Sequence, residues 1–144
     1  MFLICLLAVA GCTRGPQKAN VSGKVLYKNG KVPQGQVAVV RFNPTGDSTA
    51  EVKKGASGVI NPQDGTFELM TQVANDGVYL GEYTVTFFVM APKSSQNEVS
   101  PKYATPGLTP YKVVVDGNKT DLSFEIEPNA PGAMPPAGES APGP

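Results

Sequence analysis

The chain of 144 residues carries 12 basic and 12 acidic side chains and has no net charge at pH 7. Without a basic excess it lacks the electrostatic attraction that draws proteins to nucleic acid, so we expect no nucleic-acid partner. The sequence contains no histidine, which excludes Ser-His and Cys-His nucleophile pairs and imidazole metal ligands, and we therefore expect neither catalysis nor a bound metal or cofactor.

The first twelve residues have the pattern of an export signal. An uncharged apolar run at residues 2–10 is too short to cross a bilayer, which takes about 20 residues, but it matches the apolar core of a secretory signal. The segment VAGC at residues 9–12 resembles a bacterial lipobox, in which the signal (residues 1–11) is removed and the cysteine, here Cys12, becomes the acylated first residue. This resemblance implies a lipid anchor in the bacterial cell envelope, with the protein facing the periplasm or the cell surface. A plain secreted protein cut near Gly11 and an uncleaved anchor are the alternatives.

Cysteine use limits how the rest of the chain can be stabilised. Cys5 lies in the signal and Cys12 at the lipid site, so the folded region has no thiol for a disulfide or a cysteine metal site. We expect residues 12–20 to form a lipidated tether and residues 21–127 to form one domain that is stabilised by core burial alone.

The domain shows a pattern of strands and turns, without a helix. β-Branched and aromatic residues predict seven short strands, at residues 21–27, 36–42, 57–60, 66–70, 81–90, 111–115 and 121–127. In the last of these, Leu122, Phe124 and Ile126 alternate with polar residues, which is typical of a half-buried antiparallel strand. Seven short strands with frequent turns predict an all-β protein, an antiparallel β-sandwich.

Glycine-containing pairs mark the turns. Asn29–Gly30 predicts a two-residue type I′ hairpin, and Asp64–Gly65 and Asp116–Gly117 predict turns before the strands that follow them. Residues 128–144 contain six prolines, three glycines and four alanines, a composition that predicts a disordered tail.

Several short motifs are informative as an ordered set. They are VSGKVLYKNGKVP at residues 21–33, DGTF at 64–67, GEYTV at 81–85, PKY at 101–103 and TPYKV at 109–113. Together they resemble the carboxypeptidase regulatory-like, or transthyretin-like, domains of small bacterial lipoproteins. The resemblance implies a seven-stranded, Greek-key, prealbumin-like sandwich and no particular activity. The hydroxyisourate hydrolases of this fold use histidines and a Tyr-Arg-Gly-Ser signature, and this sequence has neither.

Three aromatic side chains fall outside the predicted core. Phe88 lies on the polar face of its strand, and Tyr103 and Tyr111 flank a loop rich in proline and glycine. They form a candidate contact patch for a protein or a glycan, and the alternative is that they pack beneath the connection at residues 91–110. Three aspartates that precede glycine are candidate calcium ligands or simply turn residues, namely Asp64, Asp76 and Asp116.

We therefore expect an envelope-anchored lipoprotein that presents a non-catalytic β-sandwich as a binding or scaffolding module. Its partners are expected to be the membrane, through the N-terminal lipid, and a protein or glycan that the sequence does not identify. A subunit of a larger envelope complex, pairing through a sheet edge, is one alternative. A hydrolytic or metal-dependent enzyme is another, and the absence of histidine disfavours it.

Overall fold

The computed structural model describes residues 14–130. Strands account for 44% of the structure and helix for 3%, which confirms the all-β class. The elements are β1 (Lys18–Ala19), β2 (Val21–Tyr27), β3 (Val37–Pro44), β4 (Ala56–Val59), β5 (Thr66–Glu68), β6 (Val78–Tyr79), β7 (Gly81–Met90), α1 (Pro101–Ala104), β8 (Lys112–Val115) and β9 (Lys119–Ile126).

Seven of the strands form two sheets that share one core. The larger sheet has the order β4-β3-β7-β8 and is antiparallel throughout. The smaller sheet has the order β5-β2-β9, and β1 and β6 form a separate two-stranded ribbon. The inner faces meet where the ring of Phe124 on β9 lies 6.5 Å from that of Phe42 on β3 and 5.5 Å from that of Phe87 on β7.

Alternation along the strands sets the inner faces, as the sequence predicts. In β7, Tyr83 and Val85 are buried, whereas the intervening Glu82 and Thr84 are only half-buried. β9 repeats the pattern toward its C-terminal end, where Phe124 and Ile126 are buried. β7 therefore directs Tyr83, Val85, Phe87 and Val89 into the core, and Thr86 between them is also buried.

One strand pair corrects the prediction of a wholly antiparallel sandwich. β2 and β9 are parallel, with Val25 opposite Phe124. Alternation shows which face of a strand is buried but not the direction of its neighbour. β9 starts after the turn at residues 116–118, at the same end of the sandwich as β2, and the Lys119 N–H donates to the Asn20 carbonyl at 2.9 Å.

The strand count and one turn also differ from the prediction. Each predicted segment contains a strand, but the described residues hold nine strands because β1 and β6 add a ribbon. The hairpin predicted at Asn29–Gly30 is wrong, since β2 and β3 lie in different sheets. A type I′ turn needs positive φ at both residues, and of the two only Gly30, at φ 82°, has it.

The turn at Asp64–Gly65 lies where the sequence predicts it, between β4 and β5. Asp64 Oδ1 accepts the Thr66 N–H at 2.9 Å. Gly65 has φ 78°, and a Cβ atom there would lie 2.4 Å from the Val25 carbonyl oxygen. Only glycine fits this turn, because any side chain would collide with β2.

The folded region extends past the predicted limits of residues 21–127 at both ends. β1 lies within the predicted tether, residues 12–20, and pairs with β6. Pro128 forms a β-bridge with Val99, so the first residues of the predicted tail pack on the domain. The signal segment, Cys12 and residues 131–144 of the predicted tail lie outside the described residues.

The strands define a lower and an upper end of the sandwich. At the lower end β1 leads into β2, and β7 begins with Gly81 opposite Val115. At the upper end β7 finishes with Met90 opposite Val37. At about 3.4 Å per residue, β7 alone spans roughly 30 Å between these ends.

An aromatic cluster fills the centre of the core. The ring of Phe124 is paired with four others, those of Phe42, Phe67, Phe87 and Tyr111, at centroid distances of 6.5, 6.0, 5.5 and 5.0 Å. Because these rings come from both sheets and from the loop before β8, one side chain ties together most of the sandwich. Such pairs stabilise a core beyond the effect of area burial.

Replacing Phe124 with alanine is expected to lower the free energy of unfolding by about 3–5 kcal/mol, because a large cavity would open between the sheets. Urea denaturation followed by circular dichroism measures this loss. Phe88→Ala is the matched control, since it removes the same side chain from the half-buried outer surface and is expected to cost less than half as much. Equal losses for the two variants would contradict the central role of Phe124.

Candidate functional site

The three aromatic residues of the predicted contact patch do not share a surface. Phe88 is half-buried on the outer face of the larger sheet. Tyr103 is only 2% exposed, and Tyr111 packs against Phe124 and Phe87 in the core cluster. Tyr103 and Tyr111 therefore do not form a contact patch with Phe88.

The two tyrosines pack against each other and the core: Tyr103 belongs to the connection at residues 91–110, and Tyr111 follows it directly. Tyr103 lies in α1, and its ring stacks on that of Tyr111 at 6.0 Å. The Tyr111 hydroxyl accepts the Glu125 N–H at 3.1 Å and donates to the Glu125 carbonyl. The hydroxyl thereby pairs with the backbone N–H and carbonyl of Glu125 on β9, an edge strand. This contact holds the Tyr111 ring against the core.

Phe88 has other apolar neighbours, which the strand register brings to it. On β3, Val39 lies opposite both Phe88 on β7 and Val59 on β4. One step toward the upper end, Val37 lies opposite Met90. We call this set of five residues the apolar half-face: Val37, Val39, Val59, Phe88 and Met90.

The apolar half-face is unusual for its position. The outer face of a sheet in an antiparallel sandwich ordinarily carries polar side chains. Here Val59 is 65% exposed and Val37 37% exposed, while the other members are half-buried. These side chains therefore form an apolar surface that is in contact with water and separate from the core.

Arg41 adds a positive charge beside the apolar half-face. It lies on the same face of β3, opposite Ser57 and Thr86. Its guanidinium carbon is 5.5 Å from the centroid of the Phe88 ring, within the range of a cation–π contact. The ion pairs within residues 14–130 join other side chains, so the Arg41 charge is available to a partner.

The lower half of the same face is mostly polar, although Val114 is exposed there opposite Glu82. The Asn43 side-chain amide donates to Thr86 Oγ1 at 3.0 Å, and Glu82 accepts the Thr49 N–H at 2.6 Å and the Thr49 hydroxyl at 2.9 Å. These hydrogen bonds, led by the backbone N–H of Thr49, hold the pKa of Glu82 below its usual value. Glu82 lies beside a cleft of about 400 Å³, and its lowered pKa keeps its carboxylate ionised at neutral pH.

The three aspartates considered as calcium ligands are not brought together. Each is held by a different neighbour, Asp64 by Thr66, Asp76 by Lys18 and Asp116 by Lys119. Among residues 14–130 there is no group of three or more acidic, histidine or cysteine side chains placed to hold a metal ion. These aspartates serve the turns in which they lie.

Asp76 forms a clasp that fixes the point where the chain enters the domain. Its carboxylate pairs with the Lys18 ammonium at 2.8 Å and accepts the N–H groups of Thr71 at 2.7 Å and Gln72 at 3.0 Å. The Lys18 ammonium also lies 4.7 Å from the centroid of the Tyr79 ring. The Lys18 contact, together with the backbone donors, lowers the pKa of Asp76 well below its ordinary value.

Comparison with known proteins adds no assignment. No protein-family model, curated protein or solved structure gives a match to the chain. Within the described part of the chain, no helix has both the length and the apolar character needed to cross a membrane.

The lowered pKa of Asp76 predicts a pH-dependent contribution to stability. The contribution is present above the pKa of the unfolded state, near 4, and is lost as the pH falls below that value toward the lower pKa of the folded state. We therefore expect Asp76→Asn to lower the thermal midpoint by several degrees at pH 7 and by less at pH 3, as measured by circular dichroism.

Asp47→Asn is the control for this measurement, because Asp47 is exposed and takes part in none of the ion pairs within residues 14–130. Its effect is expected to be small at both pH values. An Asp76→Asn effect of the same size at pH 3 and pH 7 would show that the charge of the clasp does not stabilise the fold.

Proposed function

We propose that this protein is a lipid-anchored lipoprotein of the bacterial cell envelope whose β-sandwich binds a partner without catalysing a reaction. The apolar half-face is the observation that carries the proposal. Its side chains cover three adjacent strands on a surface where polar residues are the rule. Exposed apolar side chains on adjacent strands provide a surface for a contact with another molecule, a protein or a glycan.

The anchor is proposed from the sequence around Cys12. VAGC follows an apolar run, and Cys12 is the only cysteine after the signal segment, so its thiol has no partner in the same chain for a disulfide. β1 begins six residues later, and the clasp then fixes the chain to the domain. Acylation of Cys12 would hold the lower end of the sandwich close to the membrane.

For the fold, we propose the Greek-key, transthyretin-like arrangement of the carboxypeptidase regulatory-like domains. The positions of the sequence motifs support it, since VSGKVLY forms β2, DGTF spans the turn into β5 and GEYTV opens β7. A sandwich of four and three strands, with the small ribbon beside it, accommodates this topology. Such folds carry many unrelated functions, so the binding proposal depends on the surface and not on the fold.

A second candidate function uses a sheet edge. β8 ends the larger sheet and β9 ends the smaller one, and edge strands can pair with a strand of another protein. Val114 on β8 is 55% exposed beside this edge. A subunit of an envelope complex would use this side of the sandwich in place of the apolar half-face.

Growth with a clickable palmitate analogue tests the anchor. Label is expected on the wild-type protein and is expected to be absent from Cys12→Ala, which lacks the acylated thiol, with the variant lost from the membrane fraction. Cys5→Ala is the matched control and should keep the label, because residue 5 lies in the removed signal. Label that persists in Cys12→Ala, or that Cys5→Ala also removes, contradicts the proposed site.

A photoreactive phenylalanine analogue placed singly at three exposed valines tests the binding surface in intact cells. We expect a defined adduct from position 59, on the apolar half-face, and none from position 73. Val73 is the matched control because it is also 65% exposed but lies near the lower end. An adduct from position 114 without one from position 59 would favour the sheet edge, and equal adducts or none at all would contradict a specific contact.

A further inference from the structure

The size of the apolar half-face limits what can cover it. It spans β4, β3 and β7, which lie about 4.8 Å apart, and covers about three residues along β3 and β7, so its projected area is on the order of 150 Å². A stable dimer buries about 800 Å² on each partner. A second copy of the chain packed on this surface alone would fall far short, whereas a short segment of another protein fits it.

The charge beside the apolar half-face favours an acidic partner. Arg41 is exposed, and its guanidinium lies over the Phe88 ring, where a partner that covers the ring must also reach the charge. A carboxylate can pair with an arginine through two parallel hydrogen bonds, which adds geometric specificity to the contact. An uncharged glycan would stack on Phe88 but leave this charge without a partner.

The position of the apolar half-face favours a partner in the aqueous space and disfavours the lipid bilayer as the partner. Phe88 lies seven positions along β7 from Gly81 at the lower end, a distance of about 24 Å. The six residues from Cys12 to the clasp reach about 20 Å at most, and they attach at the lower end. The anchor therefore holds one end of the sandwich while the apolar half-face lies toward the other.

We infer that the apolar half-face binds a short protein segment in which apolar side chains stand next to a carboxylate. The apolar groups pack on Val39, Val59 and Phe88, and the carboxylate pairs with Arg41. This inference rests on the proposed binding function and adds the chemical class of the partner.

The experiment combines the photoreactive residue at position 59 with changes of charge at Arg41, in the lipidated protein in intact cells. Arg41→Glu is expected to reduce the yield of the adduct roughly tenfold, because it places like charges together in the contact. Arg41→Lys keeps the charge but not the paired hydrogen bonds, so its adduct yield is expected to lie between those of the wild type and of Arg41→Glu. Lys112→Glu is the matched control, since Lys112 is exposed on the polar half of the same face, and should leave the yield unchanged.

Mass spectrometry of the adduct then identifies the partner segment, which is expected to carry an aspartate or glutamate beside the cross-linked residue. A synthetic peptide of that segment should bind the purified protein, and both Arg41→Glu and high salt should weaken the binding. The peptide measurement also separates loss of contact from loss of folding, because circular dichroism of the same variants monitors their stability.

Each other outcome has a separate meaning. The absence of any adduct from position 59 would overturn the proposed binding surface itself. A lipid or glycan adduct would leave that surface in place but overturn the inference of an acidic protein partner. A protein adduct whose yield is unchanged in Arg41→Glu would also overturn the inference of an acidic partner.

Discussion

The sandwich depends on the contact of Phe124 with the aromatic rings around it. The folded region has no cysteine, so no disulfide supports it, and the two sheets are joined by what their inner faces bury. Phe124 contacts rings from β3, β5 and β7 and that of Tyr111. Because these contacts fix which side of each strand faces inward, they also decide which side chains the outer surface presents, including those of the apolar half-face.

Much of the fold follows from alternation that is local in the sequence. The strict alternation around Phe124 and the looser alternation along β7 are sufficient to place these strands and to choose their inner faces. The direction of β9 could not be found in this way, because the parallel partner lies at the other end of the chain. The small ribbon was missed for a different reason: β1 and β6 have two residues each, too few for any period to appear.

The candidate site required information that no single segment carries. Phe88 could be singled out as an aromatic residue on a polar face, but its neighbours Val39 and Val59 come from two other strands. Only the strand register shows that these three side chains meet. For Tyr111 the sequence was misleading in the opposite direction. Its position beside a loop suggested exposure, but its hydroxyl is hydrogen-bonded to the backbone of β9.

The parallel pairing of β2 with β9 has a consequence for how the molecule assembles. The Asn20 N–H donates to the Asn118 side chain, and these residues are 98 positions apart. Closing so long a loop costs conformational entropy before the contacts that compensate for it can form. Topologies of this kind therefore fold slowly. The smaller sheet cannot gain its third strand until β9, some 98 positions beyond β2, is available. Until then β2 keeps an unpaired edge, so the earliest strand of the sandwich is exposed to aggregation for longest.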